Sequence, residues 1–249
     1  MVVIDLGEGD DPQMIFETLN ARGTPLLPTD LVKNLLFHRA ITQGEDSDEL
    51  YQRYWRPFDD EERFWRKEIG RGRLTRARID IFLQLYMSRQ LRDDVQIGHL
   101  YTRFRRFAAE SLDGVARRHM EALAHYAAIY REFDREPEGS REHMFFLRIA
   151  AMDTATVHPF LLEMFSLRRA GRLEAPAVRE VLETVESFLV RRMLCQMSTK
   201  GYNRLFIDLL ETLDGEPAEL SSRVRCFFTA QGAESLRWPT DDELRRAWM

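Results

Sequence analysis

A dense group of polar side chains lies within the sequence IFETLNARGTPLLPTDLVKNLLF, residues 15–37. Amide, guanidinium, carboxylate and ammonium groups in one short stretch could together bind a phosphate or another polar ligand. The candidate pocket residues for a nucleotide or DNA are Asn20, Arg22, Gly23, Thr24, Asp30, Lys33 and Asn34. We expect Asn20 to supply hydrogen bonds, Arg22 a phosphate contact, and Asp30 the orientation of the bend. Lys33 and Asn34 would support them, because side chains three and four residues apart share one helix face.

Two predicted helices must position these side chains. An apolar face that includes Phe16 and Leu19 predicts a first helix, which ends near Gly23 because glycine readily adopts positive φ. The prolines that follow resist helix formation, and a second helix is expected to begin near Pro28. We call residues 20–34 the elbow. It could be an ordinary helix–turn–helix corner with capping residues, or one wall of a binding cleft.

The elbow resembles the signature of the GmrSD-type restriction endonuclease N-terminal family, also described as ParB/sulfiredoxin-like or as domain of unknown function 262. The matching residues are Phe16, Leu19, Asn20, Arg22, Gly23, Leu26, Asp30, Leu31, Lys33 and Asn34. Leu27 stands where the family usually has threonine, so Thr29 is expected to act as the N-cap of the second helix.

Two later segments resemble the same family. In the first, paired arginines precede a short turn and a new helix, and its candidates for the pocket edge are Arg191, Arg192, Lys200 and Asn203. The arginines could equally pair with acids across a helical bundle. The second segment is the Trp-Pro-x-Asp element that begins at Trp238, where Thr240 or Asp241 is expected to cap a last helix.

The resemblance implies antiphage DNA restriction by a longer bacterial protein. An upstream ParB-like half with an Asp-Gly-Gln-Gln-Arg motif would hydrolyse nucleoside triphosphates, with Mg²⁺ implied there, and a downstream HNH domain would cleave DNA. Neither motif occurs in this sequence. This segment is therefore expected to have no catalytic residues and no cofactor of its own, and to support recognition of DNA, including modified DNA, by the missing half.

A second basic cluster surrounds a glycine-containing turn. Its candidates for contact with the DNA backbone are Arg66, Lys67, Arg71, Arg73, Arg76 and Arg78. The cluster could be a solvated loop, or it could contact phosphates because the glycines leave the arginines free to reach them. Tyr101 and Phe104 interleave with arginines further along, but their helical spacing is more typical of core packing than of base stacking.

Composition limits the remaining function classes. The formal net charge of −5 excludes a globally basic nucleic-acid-binding surface, although a local patch is compatible with it. All but three of the 36 basic residues are arginine, which reflects either a GC-rich genome or recognition by bidentate forks. No histidine has a partner at metal-ligand spacing, so no metal site is predicted. Cys195 and Cys226 are expected to be buried thiols of a cytoplasmic protein, and no membrane segment is predicted.

The predicted fold is mostly α, a multi-helix bundle with one short strand at Met1–Leu6 left over from an absent sheet. Residues 1–43 would form the junction with the ParB-like half, and residues 44–249 a helical domain, with a subdivision near residues 135–140. A helix beginning near Ser47 is expected to stop at Pro57.

We therefore expect the helical portion of a GmrSD-like, modification-dependent restriction factor. Two alternatives stay open. One is a stand-alone helical scaffold for protein interactions, and the other is a sequence-independent DNA-binding domain. The sequence also leaves a homo-oligomer open.

Overall fold

The computed structural model describes residues 27–70 and 75–248, apart from the side chains of Glu62 and Trp248. The described chain is mostly helical, which confirms the predicted fold class. The predicted N-terminal strand and the first arm of the elbow lie outside the described residues. The described chain divides into two compact units, the first made of residues up to Met87 with Val95–Ala124, and the second of Ser88–Asp94 with the residues from His125 onward. The boundaries expected at residue 43 and near residues 135–140 stay predictions.

The helices and strands follow one another closely along the chain. The earlier elements are α1 Pro28–Thr42, α2 Ser47–Leu50, a π-helical turn Tyr51–Trp55, α3 Arg56–Asp60, α4 Glu62–Trp65, β1 Glu68–Ile69, β2 Arg76–Ala77, α5 Arg78–Leu91, α6 Leu100–Glu110 and α7 Ala116–Glu132. The later elements are α8 Arg141–Ala151, α9 His158–Arg169, α10 Ala175–Leu194, α11 Tyr202–Asp208, α12 Leu220–Thr229 and α13 Asp241–Trp248. Short 3₁₀ turns lie at Ile97–His99, Leu112–Gly114, Ala155–Val157, Leu209–Asp214 and Pro217–Glu219.

The core of the first unit is built on the apolar stripe of α1. Val32, Leu36 and Ala40 are fully buried at the four-residue spacing that keeps side chains on one helix face. Helix α1 packs against α6, where Phe104 is also fully buried. This packing fixes the second arm of the elbow onto the rest of its unit.

The helix expected to stop at Pro57 continues beyond it. In the π-helical turn before the proline, the Arg56 N–H donates to the Tyr51 carbonyl, five residues earlier. A regular α-helix would press the Pro57 ring against the Arg53 carbonyl, and the wider turn relieves that clash. The helix therefore resumes and buries Phe58.

A two-stranded antiparallel hairpin, which the sequence did not predict, joins α4 to α5. Glu68 pairs with Ala77 and Ile69 with Arg76. The hairpin is anchored at its base by Trp65 and Ala77, which are both buried. Its tip, residues 71–74, lies outside the described residues.

The second unit is organised around α10, which packs against α8, α12 and α13. Phe188 of α10 stacks on Phe228 of α12 with ring centroids 4.3 Å apart, and Trp238 packs against both rings. The expectation of buried thiols is wrong for Cys226, which is exposed, whereas Cys195 is half-buried; both are free. In the part of the chain that the structure describes, no helix is both long and apolar enough to cross a bilayer.

Candidate functional site

Several of the predicted site residues cannot be placed. Asn20, Arg22, Gly23, Thr24, Arg71 and Arg73 lie outside the described residues, so their roles stay predictions. The structure does place the second arm of the elbow, the two flanks of the basic turn and all four candidates for the pocket edge.

The second arm of the elbow begins where the sequence predicted, at Pro28, but with a different cap. Leu27 occupies the N-cap position, and its N–H donates to Oδ2 of Asp30 at 3.1 Å. A carboxylate in the first turn also interacts favourably with the positive end of the helix dipole. Asp30 therefore satisfies the first N–H at the start of α1.

The prediction that Thr29 is the N-cap is wrong. Thr29 lies inside the helix and is buried, and both its N–H and its hydroxyl donate to Oδ1 of Asp80, at 3.1 and 2.5 Å. Asp80 lies 51 residues further along the chain, in the first turn of α5. The positions of Thr29 and Asp80 in the sequence do not predict this contact. Its effect is to join the start of α1 to the start of α5.

Asp80 is itself an unusual carboxyl group, because only 1% of its surface is exposed. Burial raises the pKa of Asp80 above its ordinary value, while the two hydrogen bonds from Thr29 act in the opposite direction. Asp30 nearby raises this pKa further, and Arg66 lowers it. The side chains around the start of α1 are thus electrostatically coupled.

Two predicted groups that are distant in sequence meet at this point. Arg66 Nη2 donates to Oδ1 of Asp30 at 3.1 Å, across 36 residues. Both side chains are about one-third exposed, at 32% for Arg66 and 27% for Asp30, so the pair lies at the surface of its unit. Asp30, a candidate for the pocket, and Arg66, a candidate for contact with the DNA backbone, are therefore in direct contact.

Lys33 is held by its own chain. Its ammonium lies 2.8 Å from Oδ2 of Asp59, which also accepts from the Tyr51 hydroxyl at 3.1 Å. The same ammonium lies over the rings of Tyr51 and Trp55, at 5.3 and 5.7 Å from their centroids, within cation–π range. Asn34, by contrast, is exposed to solvent. The π-helical turn thus supplies both rings of the site around Lys33.

The flanks of the basic turn form one face of the hairpin. Ile69 lies opposite Arg76, and the Arg78 N–H donates to the Lys67 carbonyl at 2.9 Å. Directly opposed residues of an antiparallel pair project from the same face, as do alternate residues of one strand. Lys67, Arg76 and Arg78 therefore share a face.

The cations of this face differ in how they are held. The Arg78 guanidinium lies over the Phe64 ring at 4.2 Å. Lys67 and Arg76 are exposed, and neither forms an ion pair with a described residue; Arg76 donates only to the adjacent Thr75 carbonyl. Exposed, unpaired cations are the groups that can neutralise phosphates. We call Lys67, Arg76 and Arg78 the hairpin surface; Arg66, which binds Asp30, directly precedes it in the chain.

The candidates for the pocket edge fall in the second unit, and the two arginines have different environments. Arg191 pairs with Asp241 at 2.6 Å, which agrees with the alternative that these arginines pair with acidic residues. Arg192 is completely buried and does not pair with an acid among the described residues. It donates to backbone carbonyls instead, those of Ser198, Ser235 and Arg237, at 2.6 to 2.8 Å.

The buried guanidinium of Arg192 connects three separate segments. Its Nε donates to the hydroxyl of Tyr202, at the start of α11, at 3.0 Å. Its other nitrogens donate to carbonyls in the turn at residue 198 and in the segment at residues 235–237. Every guanidinium nitrogen is thus used inside the unit. Lys200 is exposed, and Asn203 donates to Asp94 at 2.9 Å. Of these four candidates, Lys200 is the one with its charged group open to solvent.

The Trp-Pro-x-Asp element ends in a capping box at Thr240, one of the two residues that the sequence offered as the cap of the last helix. The Glu243 N–H donates to the Thr240 hydroxyl at 3.3 Å, and the Glu243 carboxylate accepts from the Thr240 N–H at 2.8 Å. Hydrogen bonds from Arg237, followed by those from Thr240, lower the pKa of Glu243 to about 2. The contact of Arg237 with Glu243 was not predicted from the sequence.

No group of three or more histidine, cysteine, aspartate or glutamate residues within 27–70 and 75–248 is arranged to hold a metal ion. Comparison with protein-family models, with curated proteins and with solved structures found no match for this chain.

Proposed function

We propose that this chain is the helical portion of a GmrSD-like, modification-dependent antiphage restriction factor of the bacterial cytoplasm, and that its hairpin surface contacts the DNA backbone. The resemblance at residues 16–34 and the basic flanks of the hairpin support the proposal. The nucleoside triphosphate, Mg²⁺ and both hydrolytic activities would belong to the ParB-like and HNH domains of the longer protein, which are its implied partners.

The observation that carries the proposal is the ion pair between Asp30 and Arg66. It joins the elbow, whose polar residues carry the resemblance, to the turn that carries the free cations. Asp80 adds a second anchor by binding Thr29 at the start of α1. A phosphate held by Lys67 and Arg76 would therefore be bound one residue along the chain from the arginine that contacts the elbow.

The hairpin surface can be tested by DNA binding of the 249-residue chain across a salt series. Each phosphate contact contributes about 0.9 to the slope of log affinity against log salt concentration. The double variant Lys67→Ala, Arg76→Ala should therefore lower that slope by about 2 and weaken binding. The matched control Arg135→Ala, Arg225→Ala removes two exposed cations of the second unit and should leave the slope unchanged.

The outcomes separate the alternatives. If the hairpin variant and the control had equal slopes, the hairpin surface would not be the contact site. If the wild-type chain bound no DNA at low salt, the helical interaction scaffold would be favoured. Equal affinity for matched duplexes with and without modified bases would favour sequence-independent binding over a modification-dependent factor.

The elbow needs a separate test in the longer protein, because its predicted partner is the ParB-like half. Asn20→Ala and Arg22→Ala should each reduce nucleotide turnover while circular dichroism stays unchanged. Lys200→Ala, which changes an exposed side chain of the second unit, tests the pocket edge in the same assay. Normal turnover in correctly folded Asn20 and Arg22 variants would remove the pocket from the proposal.

A further inference from the structure

A histidine is fully buried in the core of the first unit. His119 lies near the start of α7, and its imidazole packs against the rings of Phe104 and Phe107, with centroids 6.3 and 5.4 Å away. Both ring nitrogens are buried, and neither forms a hydrogen bond of normal geometry with a described residue. A polar group without such a bond is costly to bury, and an apolar side chain would fill the same place at a lower cost.

The turn that leads into α7 has an unfavourable backbone. Leu112, Asp113 and Gly114 follow one another with φ values of 50°, 55° and 67°. In this left-handed region, the Cβ atom of a residue other than glycine comes too close to the following carbonyl oxygen. Such a conformation persists only where the surrounding structure holds it. The α6–α7 turn, residues 111–115, is therefore strained and depends on its neighbours.

Two side chains at the end of α1 and just after it hold this turn. The Gln43 side chain donates to the Gly114 carbonyl at 2.7 Å and accepts from the Ala116 N–H at 2.9 Å. Arg39 donates to the Ala108 carbonyl, and a Cβ atom added to Gly114 would lie 3.7 Å from its Nη1. The Arg39 guanidinium therefore lies beside both the last turn of α6 and the α6–α7 turn.

Protonation of His119 would add a second cation to this core. Burial lowers the pKa of His119 below its ordinary value and the Arg39 guanidinium lowers it further, while the Ala108 and Ser111 carbonyls act in the opposite direction. The acids of the flanking segments are paired with other side chains or exposed. They are Glu45 and Glu49, which bind Arg117, Asp113, which binds Arg118, Glu121, which binds Tyr54, and the exposed Glu110.

We propose that His119 is a pH-sensitive switch for the α6–α7 turn: its neutral imidazole keeps the turn closed against the end of α1, and its protonated form releases the turn. An imidazolium is costly in an apolar site beside a guanidinium, whereas water would solvate it in the open turn. The left-handed residues add to this effect, because their strain is relieved once the packing around them is lost. The proposal does not depend on DNA binding by the hairpin surface.

Amide hydrogen exchange of the 249-residue chain, followed by mass spectrometry and corrected for the intrinsic pH dependence of exchange, measures opening of the turn. Above about pH 6.5, the ordinary pKa of histidine, the equilibrium constant for opening of residues 111–120 should not change with pH. Below that pH the open state binds a proton that the closed state does not, so the constant should rise by up to about tenfold per pH unit. Residues 47–60 of the same unit are the internal reference and should not show this rise.

Two variants replace the imidazole with an apolar side chain that cannot be protonated, His119→Phe and His119→Leu. In whichever of them circular dichroism shows to be folded, the opening constant should no longer depend on pH. The matched control His99→Gln changes an exposed histidine of the same unit and should keep the pH dependence of the wild type.

The wild type alone can overturn the proposal, by an opening constant that stays the same down to about pH 5, well below the ordinary pKa of histidine. The proposal is equally overturned by the wild-type pH dependence in a folded His119 variant, or by loss of that dependence in His99→Gln. An equal rise in residues 47–60 would also overturn it, because the proton would then unfold the whole unit and not release the turn.

Discussion

At the scale of single residues, buried polar groups determine how the start of α1 is held. Thr29 and Asp80 are both nearly inaccessible, and two hydrogen bonds connect them. A carboxylate in such a place is stabilised by its donors and destabilised by the loss of water. The net effect is a raised pKa for Asp80, because burial is the largest influence on it.

The raised pKa of Asp80 predicts a specific pH dependence of stability. A carboxyl group whose pKa is higher in the folded than in the unfolded state binds more protons when folded, so its contribution to stability is greatest below the unfolded pKa and declines as pH rises through the folded pKa. Asp80→Asn keeps an acceptor oxygen for Thr29 and removes the charge. We expect this variant to gain stability relative to the wild type as pH rises from about 4, with the difference becoming constant above the folded pKa.

Urea unfolding at a series of pH values measures this difference. Asp60→Asn is the matched control, because Asp60 is exposed and pairs only with Arg56 of its own helix among the described residues. A stability difference between Asp80→Asn and the wild type that did not change with pH would show that burial does not raise the pKa of Asp80.

At the scale of elements, charged side chains connect segments that are separate along the chain. Arg192 ties α10 to the turn before α11 and to residues 235–237, where the chain has no regular structure. It can do so because the guanidinium has donors in several directions and each of its three nitrogens donates at least one hydrogen bond. The adjacent Arg191 contacts the start of α13 from a more exposed position, with 25% of its side chain accessible.

These two neighbouring arginines should differ sharply in their contributions to stability. Arg192→Met leaves three carbonyls and the Tyr202 hydroxyl without their donor at a fully buried position, and we expect a loss of about 3–5 kcal/mol of unfolding free energy. Arg191→Met breaks a partly exposed ion pair and should cost about 1 kcal/mol or less. Guanidinium chloride unfolding of both variants provides the comparison, and equal costs would contradict the role assigned to Arg192.

At the scale of the whole molecule, the environments of the two cysteines predict how fast each thiol reacts with an alkylating reagent. Both thiols are free, and Cys226 is exposed while Cys195 is half-buried. We expect N-ethylmaleimide to label native Cys226 faster than Cys195, because reaction requires access to the thiolate. Mass spectrometry of a labelling time course measures both rates, and Cys226→Ala identifies the faster site.

Because both thiols are free, we expect that a reductant will not change the stability of the protein. A disulfide stabilises a protein largely by restricting its unfolded state, and free thiols make no such contribution. The unfolding midpoint should therefore be the same with and without dithiothreitol. A lower midpoint with reductant, or faster labelling of Cys195, would show a different arrangement of the thiols.

The sequence by itself determined the helical class, the beginning of α1 at Pro28 and a cap for the last helix at Thr240 or Asp241. Each of these depends on local signals: apolar spacing around the helix, a proline in the first turn, and a polar side chain just before a helix. These signals act within a few residues, so they can be read without knowledge of the fold.

Only the tertiary structure decided which polar groups meet. Thr29 does not cap α1 as expected but donates to the carboxylate of Asp80, 51 residues further along the chain. Asp30 accepts a hydrogen bond from Arg66, which is 36 residues away. Local preference could not reveal these partners, because the energy of a buried polar group depends on which donor or acceptor the fold brings to it. For the same reason, the sequence could propose a pocket edge at Arg191 and Arg192, but it could not show that Arg192 would be fully buried among backbone carbonyls.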